Sequence, residues 1–195
     1  MSNNTANQAA NASASGTTGA PGGPGGLTLD ERIAQVPVHS AIAAGDRSLA
    51  ITLDFATNAM LHPTYWFAPA GKTFRRTLYT SIDGYRQISR RIFIAVTVPS
   101  FDSDTHTEEV LARQKALINR ITELLNTFHK IEKVEVVYRS PATAWAQIRC
   151  LAPLYGLTFT DWELSLREGN APLQAIQRQS HWDMRLRGLW NALRD

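Results

Sequence analysis

Between Tyr85 and Arg167, extended and helical apolar patterns alternate with short connections, and this constrains the chain more than any other feature. In Arg90 to Val98, Ile92, Ile94, Val96 and Val98 take one side, and Phe93, Ala95 and Thr97 the other. Both sides are largely apolar, which predicts a strand covered on both faces. Pro99 ends it. A helix is expected from Thr105, with Glu108 completing a capping-box pattern. Val110, Leu117, Ile121, Leu124 and Phe128 form its stripe, widened by Leu111, Ile118 and Leu125. Such a broad face suits a helix lying on a sheet rather than a coiled-coil seam.

Ile131 to Tyr138 predicts a second strand, with Val134, Val136 and Tyr138 alternating with Lys133, Glu135 and Val137. Pro141 stands at the entry of a shorter helix whose stripe is Trp145, Ile148, Leu151 and Leu154. Pro153 crowds its end and Gly156 fits a C-cap. Leu157 to Leu166 is extended again. Gly169-Asn170-Ala171-Pro172 reads as a turn, and a last helix is expected from around Leu173 or later toward Leu193. Strand, helix, strand, helix, strand with short links implies right-handed crossovers and parallel strands. The expected fold is therefore α/β: a small, mostly parallel sheet with two crossover helices plus a C-terminal amphipathic helix.

Upstream, Met1 to Gly26 is built from Asn, Ala, Ser, Thr, Gly and Pro, with Pro21-Gly22-Gly23-Pro24-Gly25-Gly26 at its end. Such a segment buries too little apolar area to offset the entropy of ordering it, so residues 1–26 are expected to be a disordered tail. Residues 27–195 are expected to form a single domain. Thr28 and Glu31 have capping-box spacing for a short helix that Pro37 limits. Ser48 to Phe55 alternates Leu49, Ile51, Leu53 and Phe55 with Ala50, Thr52 and Asp54, predicting a half-buried strand. Asn58 to Gly71 is read as irregular. Its aromatic cluster, His62-Pro63-Thr64-Tyr65-Trp66-Phe67, is expected to plug the edge of the core.

Composition limits the function classes. With one cysteine, Cys150, the chain forms no intramolecular disulfide and no cysteine-based zinc site of the usual kind. A formal charge of +3 is far from that of a polybasic phosphate binder. No apolar run approaches the ~18–20 residues that span a bilayer. Without an apolar or Arg-rich leader, the chain is expected to be intracellular, cytoplasmic or nuclear.

Few residues suggest chemistry. Asp102-Ser103-Asp104 after a strand could hold a divalent cation for a hydrolase or transferase, or could serve as ordinary capping and dipole chemistry. A haloacid-dehalogenase-type motif is not met, because His106 stands where Thr is required. His39, His62, His106, His129 and His181 share no ligand spacing. Cys150 between Ile148 and Leu151 reads as a small core residue. No phosphate-loop, dinucleotide or nucleophile-elbow pattern occurs, so no cofactor is expected.

Lys72, Arg75, Arg76, Arg86, Arg90 and Arg91 could form a nucleic-acid footprint if they share one face, or a solvated rim beside a strand. At the C-terminus, Trp182, Leu186, Leu189, Trp190 and Leu193 recur at helical spacing with Arg185 among them. These six residues are candidates for binding a protein partner, the alternative being that the helix folds back onto the domain.

The segments Ile88 to Pro99, Ile121 to Leu125 and Ile131 to Val136, with Trp145 before Leu151-Ala152-Pro153-Leu154, carry a resemblance. In apolar spacing, Tyr85 to Glu168 resembles the C-terminal α/β region of fungal F-box-type and related proteins. The resemblance implies an α/β fold and transfers no catalytic residues. No F-box motif precedes the region, so adaptor binding of the F-box kind is not implied. The leading expectation is a non-enzymatic interaction or scaffold module. The alternatives are a metal-dependent hydrolase or transferase using Asp102 and Asp104, and a basic nucleic-acid-binding module.

Overall fold

The computed structural model describes residues 39–45, 47–100 and 107–194. The expected tail, the Thr28 cap and Asp102, Asp104 and His106 lie outside the described residues. Strand β1 (Ile42–Gly45) turns through Arg47, at φ 60°, into strand β2 (Ser48–Asp54). A 3-10 turn (Ala59–Leu61), helix α1 (Pro63–Trp66) and helix α2 (Pro69–Gly84) follow. Next come strand β3 (Arg91–Thr97), helix α3 (Glu108–Leu125) and strand β4 (Lys133–Ser140). Helix α4 (Trp145–Ile148) continues as 3-10 helix through Arg149–Gly156. Strands β5 (Trp162–Glu168) and β6 (Gln174–Ala175) and helix α5 (His181–Ala192) complete the fold.

The sheet has six strands in the order β1-β2-β3-β4-β5-β6. The four from β2 to β5 are parallel, and the edges β1 and β6 are antiparallel. The α/β class and the mostly parallel sheet agree with the sequence reading, with one crossover helix more than expected. When each parallel strand lies beside its predecessor, crossovers of one hand place every helix on the same face. Leu49, Ile51 and Leu53 of β2 and Ile92, Ile94 and Val96 of β3 share one core with Val134, Val136 and Tyr138 of β4. The same core takes in Leu78 and Ile82 of α2, Leu117 and Ile121 of α3, Leu151 and Leu154, and Leu186 of α5.

Several local expectations change. The segment around Asn58 to Gly71 is helical, because Pro63 and Pro69 each open a helix, where a missing N–H costs nothing. Helix α3 is capped by Thr107, whose Oγ1 accepts from the Val110 N–H at 3.3 Å, and not from Thr105. Glu108 and Glu109 then occupy the first turn, where the helix dipole favours negative charge. The buried face of α3 centres on Leu111, Leu117, Ile118, Ile121 and Leu125, with Val110 and Leu124 at its margins. Pro153 lies inside the 3-10 helix, whose i to i+3 bonding spares the contact that breaks an α-helix. The cap is Leu157, and Gly156 serves another purpose: a Cβ there would come within 2.6 Å of the Trp190 ring.

The largest correction concerns β3. Its second face is not covered: among the described residues, no helix packs against Phe93, Ala95 and Thr97. Ala95 and Val137 are buried yet stand outside the core cluster.

Candidate functional site: the uncovered face of the sheet

Strand register builds this face in rows. The middle row is Thr52, Ala95, Val137 and Ser165 on β2, β3, β4 and β5. Two residues toward the strand N-termini lie Ala50, Phe93, Glu135 and Glu163. Two residues toward the C-termini lie Asp54, Thr97, Arg139 and Arg167. Thr52, Arg139 and Glu163 are exposed, and Phe93, Thr97, Glu135 and Arg167 are half-buried. Parallel sheets are nearly always covered on both faces, so an open parallel face is unusual. It is also chemically divided: small and apolar on β2 and β3 between Arg91 and Asp54, charged on β4 and β5.

The charges are arranged by sign. Lys133 bridges Glu135 at 2.8 Å and Glu163 at 3.4 Å. Hydrogen bonds from Lys133 hold the Glu135 carboxyl below its ordinary range, against partial burial. Arg139 and Arg167 sit side by side in register and have no ion-pair partner among the described residues. Asp54 is occupied locally: its carboxylate accepts from the N–H groups of Ala56 and Thr57, each at 2.9 Å. Sequence reading did not single out this face. Its signal was present as charge alternating with apolar residues in Lys133-Val134-Glu135 and Glu163-Leu164.

The C-terminal residues go elsewhere. Leu186 is fully buried in the domain core. Trp182 stacks on Trp145 with ring centroids 6.1 Å apart, and the Arg185 guanidinium lies 3.9 Å over the same Trp145 ring. Trp190 covers Gly156 and Leu189 packs against the core, while Leu193 stays half exposed. Leu193 and Trp190 border a cleft of about 770 Å³ between α3 and α5, whose Asn126 already bonds Gly156 and Thr158. The apolar stripe of α5 thus faces its own domain.

Asp183 anchors this helix. Its carboxylate accepts from the Tyr155 hydroxyl at 2.9 Å, the Gln179 N–H at 2.9 Å and Arg187 at 3.3 Å. Burial pushes the carboxyl up, but these three donors outweigh it and leave its pKa below the ordinary 3.8. A depressed carboxylate stabilises the fold at pH values above its unfolded pKa, and this contribution disappears as pH falls through the folded pKa. Asp183→Asn is expected to lose about 2 kcal/mol near neutral pH. In urea titrations its gap to the wild type should close in acid below the ordinary aspartate range. A gap of constant size would contradict this account.

The basic cluster does not share one face. Arg75 donates to the Trp66 carbonyl at 2.7 Å and lies 4.1 Å over the Trp66 ring. Arg86 pairs with Asp83 and Arg90 with Glu132, while Arg91 points to the open side of the sheet, away from Lys72 and Arg76 on α2.

The described histidines are also dispersed. His39 ties the entry of β1 to the Phe74 carbonyl of α2 at 3.1 Å. His62 accepts from the Thr64 N–H at 3.3 Å to cap α1. His129 and His181 are exposed. Burial raises the Cys150 thiol to about 12, so it stays protonated and unreactive.

Open α/β sheets bind ligands beyond the carboxyl ends of their strands. Here that region holds a cleft of about 380 Å³ with His62, Glu109, Arg113 and Gln114 in its lining. Glu109 pairs with Arg113, and His62 is taken up by its cap. Among the described residues, no group of three or more His, Cys, Asp or Glu side chains could hold a metal ion, and no helix is long and apolar enough to cross a membrane. Comparison with protein-family models, curated proteins and solved structures finds no match.

Proposed function

We propose that the protein is a non-enzymatic interaction module and that its docking surface is the uncovered face of the sheet. The single observation that carries this reading is the four-stranded parallel sheet that the described residues pack on one side only. Its open face combines half-buried Phe93, a row of small side chains and in-register arginines without acidic partners among the described residues. Flat surfaces with apolar centres and charged margins are what protein partners bury. The terminal helix is the weaker candidate, because its apolar stripe is spent on the domain core. The basic cluster lacks the continuous face that nucleic acid requires.

The test places a photoreactive side chain at Thr52, on the open face, or at Arg120, exposed on α3. Thr52 should yield a protein adduct in cell extract, and Val137→Glu in the same chain should abolish it. Adducts from Arg120 alone would move docking to the helical side.

A further inference from the structure

We propose that the occupant of the open face is a second copy of this chain, packed sheet to sheet about a two-fold axis. This rests on the docking reading above and adds the partner's identity. The axis runs along the middle row, Thr52, Ala95, Val137 and Ser165. Those side chains are small, so two sheets can approach to the ordinary spacing of about 10 Å.

Charge pattern selects this axis. Rotation about the middle row lays each strand over its own counterpart and exchanges the rows on either side. Arg139 then meets the partner's Glu135, and Arg167 meets the partner's Glu163. Both rows stand two residues from the axis, about 6.7 Å along the strand, so the pairs meet without adjustment of register. Lys133 bridges Glu135 and Glu163, with Arg91 beside it in register, and the arriving arginines give each carboxylate a further cation. Phe93 meets the partner's Thr97, and Ala50 meets the partner's Asp54, whose carboxylate already accepts from the Ala56 and Thr57 N–H groups.

An axis along the strands between β3 and β4 would instead lay Glu135 over Phe93 and Glu163 over Ala50, leaving Arg167 over Asp54 as its single opposite-charge pair. Burying carboxylates against apolar side chains is costly. The axis along the middle row joins two kinds of opposite-charge pair where the axis along the strands joins one, and such self-complementarity is the signature of an isologous interface.

The four parallel strands offer a footprint of about 19 by 23 Å from strand spacing and rise. At about 440 Å² per partner this is smaller than a standard stable interface and suits a weak, transient one, so dissociation in the micromolar range or weaker is expected.

The experiment is sedimentation equilibrium of the full chain from about 1 to about 100 µM, the range that brackets such a constant. Two charge-reversed chains accompany it, Arg139→Glu/Arg167→Glu and Glu135→Arg/Glu163→Arg. Each alone repels itself and should dimerise at least about tenfold more weakly than the wild type. Mixed in equal amounts, they should pair with each other at near wild-type affinity. That recovery would also show that both chains fold.

A wild-type chain that stays monomeric throughout overturns self-pairing whatever the variants do. If the Thr52 adduct still forms with another protein, the docking reading survives and only the partner is wrong. A wild-type dimer unaffected by either reversal would place the contact on another surface and also overturn the proposal.

Discussion

Gly71→Ala is expected to destabilise the domain by about 3 kcal/mol or more, lowering its thermal midpoint by roughly 6–12 °C. Gly71 is buried in the first turn of α2, where the Tyr65 end of α1 crosses it. A Cβ would enter the Tyr65 carbonyl oxygen and approach its carbon to 2.9 Å. The Met60 carbonyl oxygen, at 3.4 Å, closes the other side. All three obstacles are backbone atoms, so no side-chain rotation relieves the clash. Either α1 moves away or α2 unwinds.

Gly188 is the internal control. It also lies within a helix, but nothing stands within 4 Å of a Cβ there. Gly188→Ala should therefore stabilise by about 1 kcal/mol, the ordinary helix-propensity gain. Calorimetry on the two variants tests the packing at both sites. Equal small effects would mean that α1 does not pack on α2 as described.

Leu186→Ala should lose about 3 kcal/mol, read as a shift in the denaturant midpoint at unchanged slope. The side chain has no exposed surface and belongs to the same core as the strands. Its removal leaves a cavity that the Trp182–Trp145 stack and the Trp190–Gly156 contact on either side prevent from collapsing. A chain ending at Gln179 would expose the Trp145 and Gly156 contacts and should aggregate or lose its cooperative transition. If Leu186→Ala instead stayed within about 0.5 kcal/mol of the wild type, as a surface substitution does, the helix would not be packed in solution. Its residues would then return as candidates for docking a partner.

The legible and illegible parts of the fold separate by physical cause. Strand β3 was readable because Ile92, Ile94 and Val96 alternate without interruption, and α3 because its apolar face spans five turns. Helix α2 was missed although Phe74, Leu78, Ile82 and Tyr85 recur every three or four residues. Lys72, Arg75 and Arg76 between them made the segment look like a charge cluster, and Pro69 looked like a breaker when it is an opening residue. The Ser180 to Asp183 anchor was hidden because Tyr155 reaches Asp183 from 28 positions away.

The candidate site divides in the same way. Arg139 and Arg167 are 28 positions apart and become neighbours only through the β4–β5 register. By itself, the sequence determined the central strands β3 and β4 and the helices α3 and α5, and that the central strands run parallel. These are properties of neighbouring side chains and of connection length, and periodicity reports them directly. Only the tertiary structure decided that the described helices gather on one face, that no described element covers the other, and that the terminal helix turns its tryptophans inward. Those outcomes depend on strand order and on contacts between residues far apart in the chain, which a local pattern does not encode.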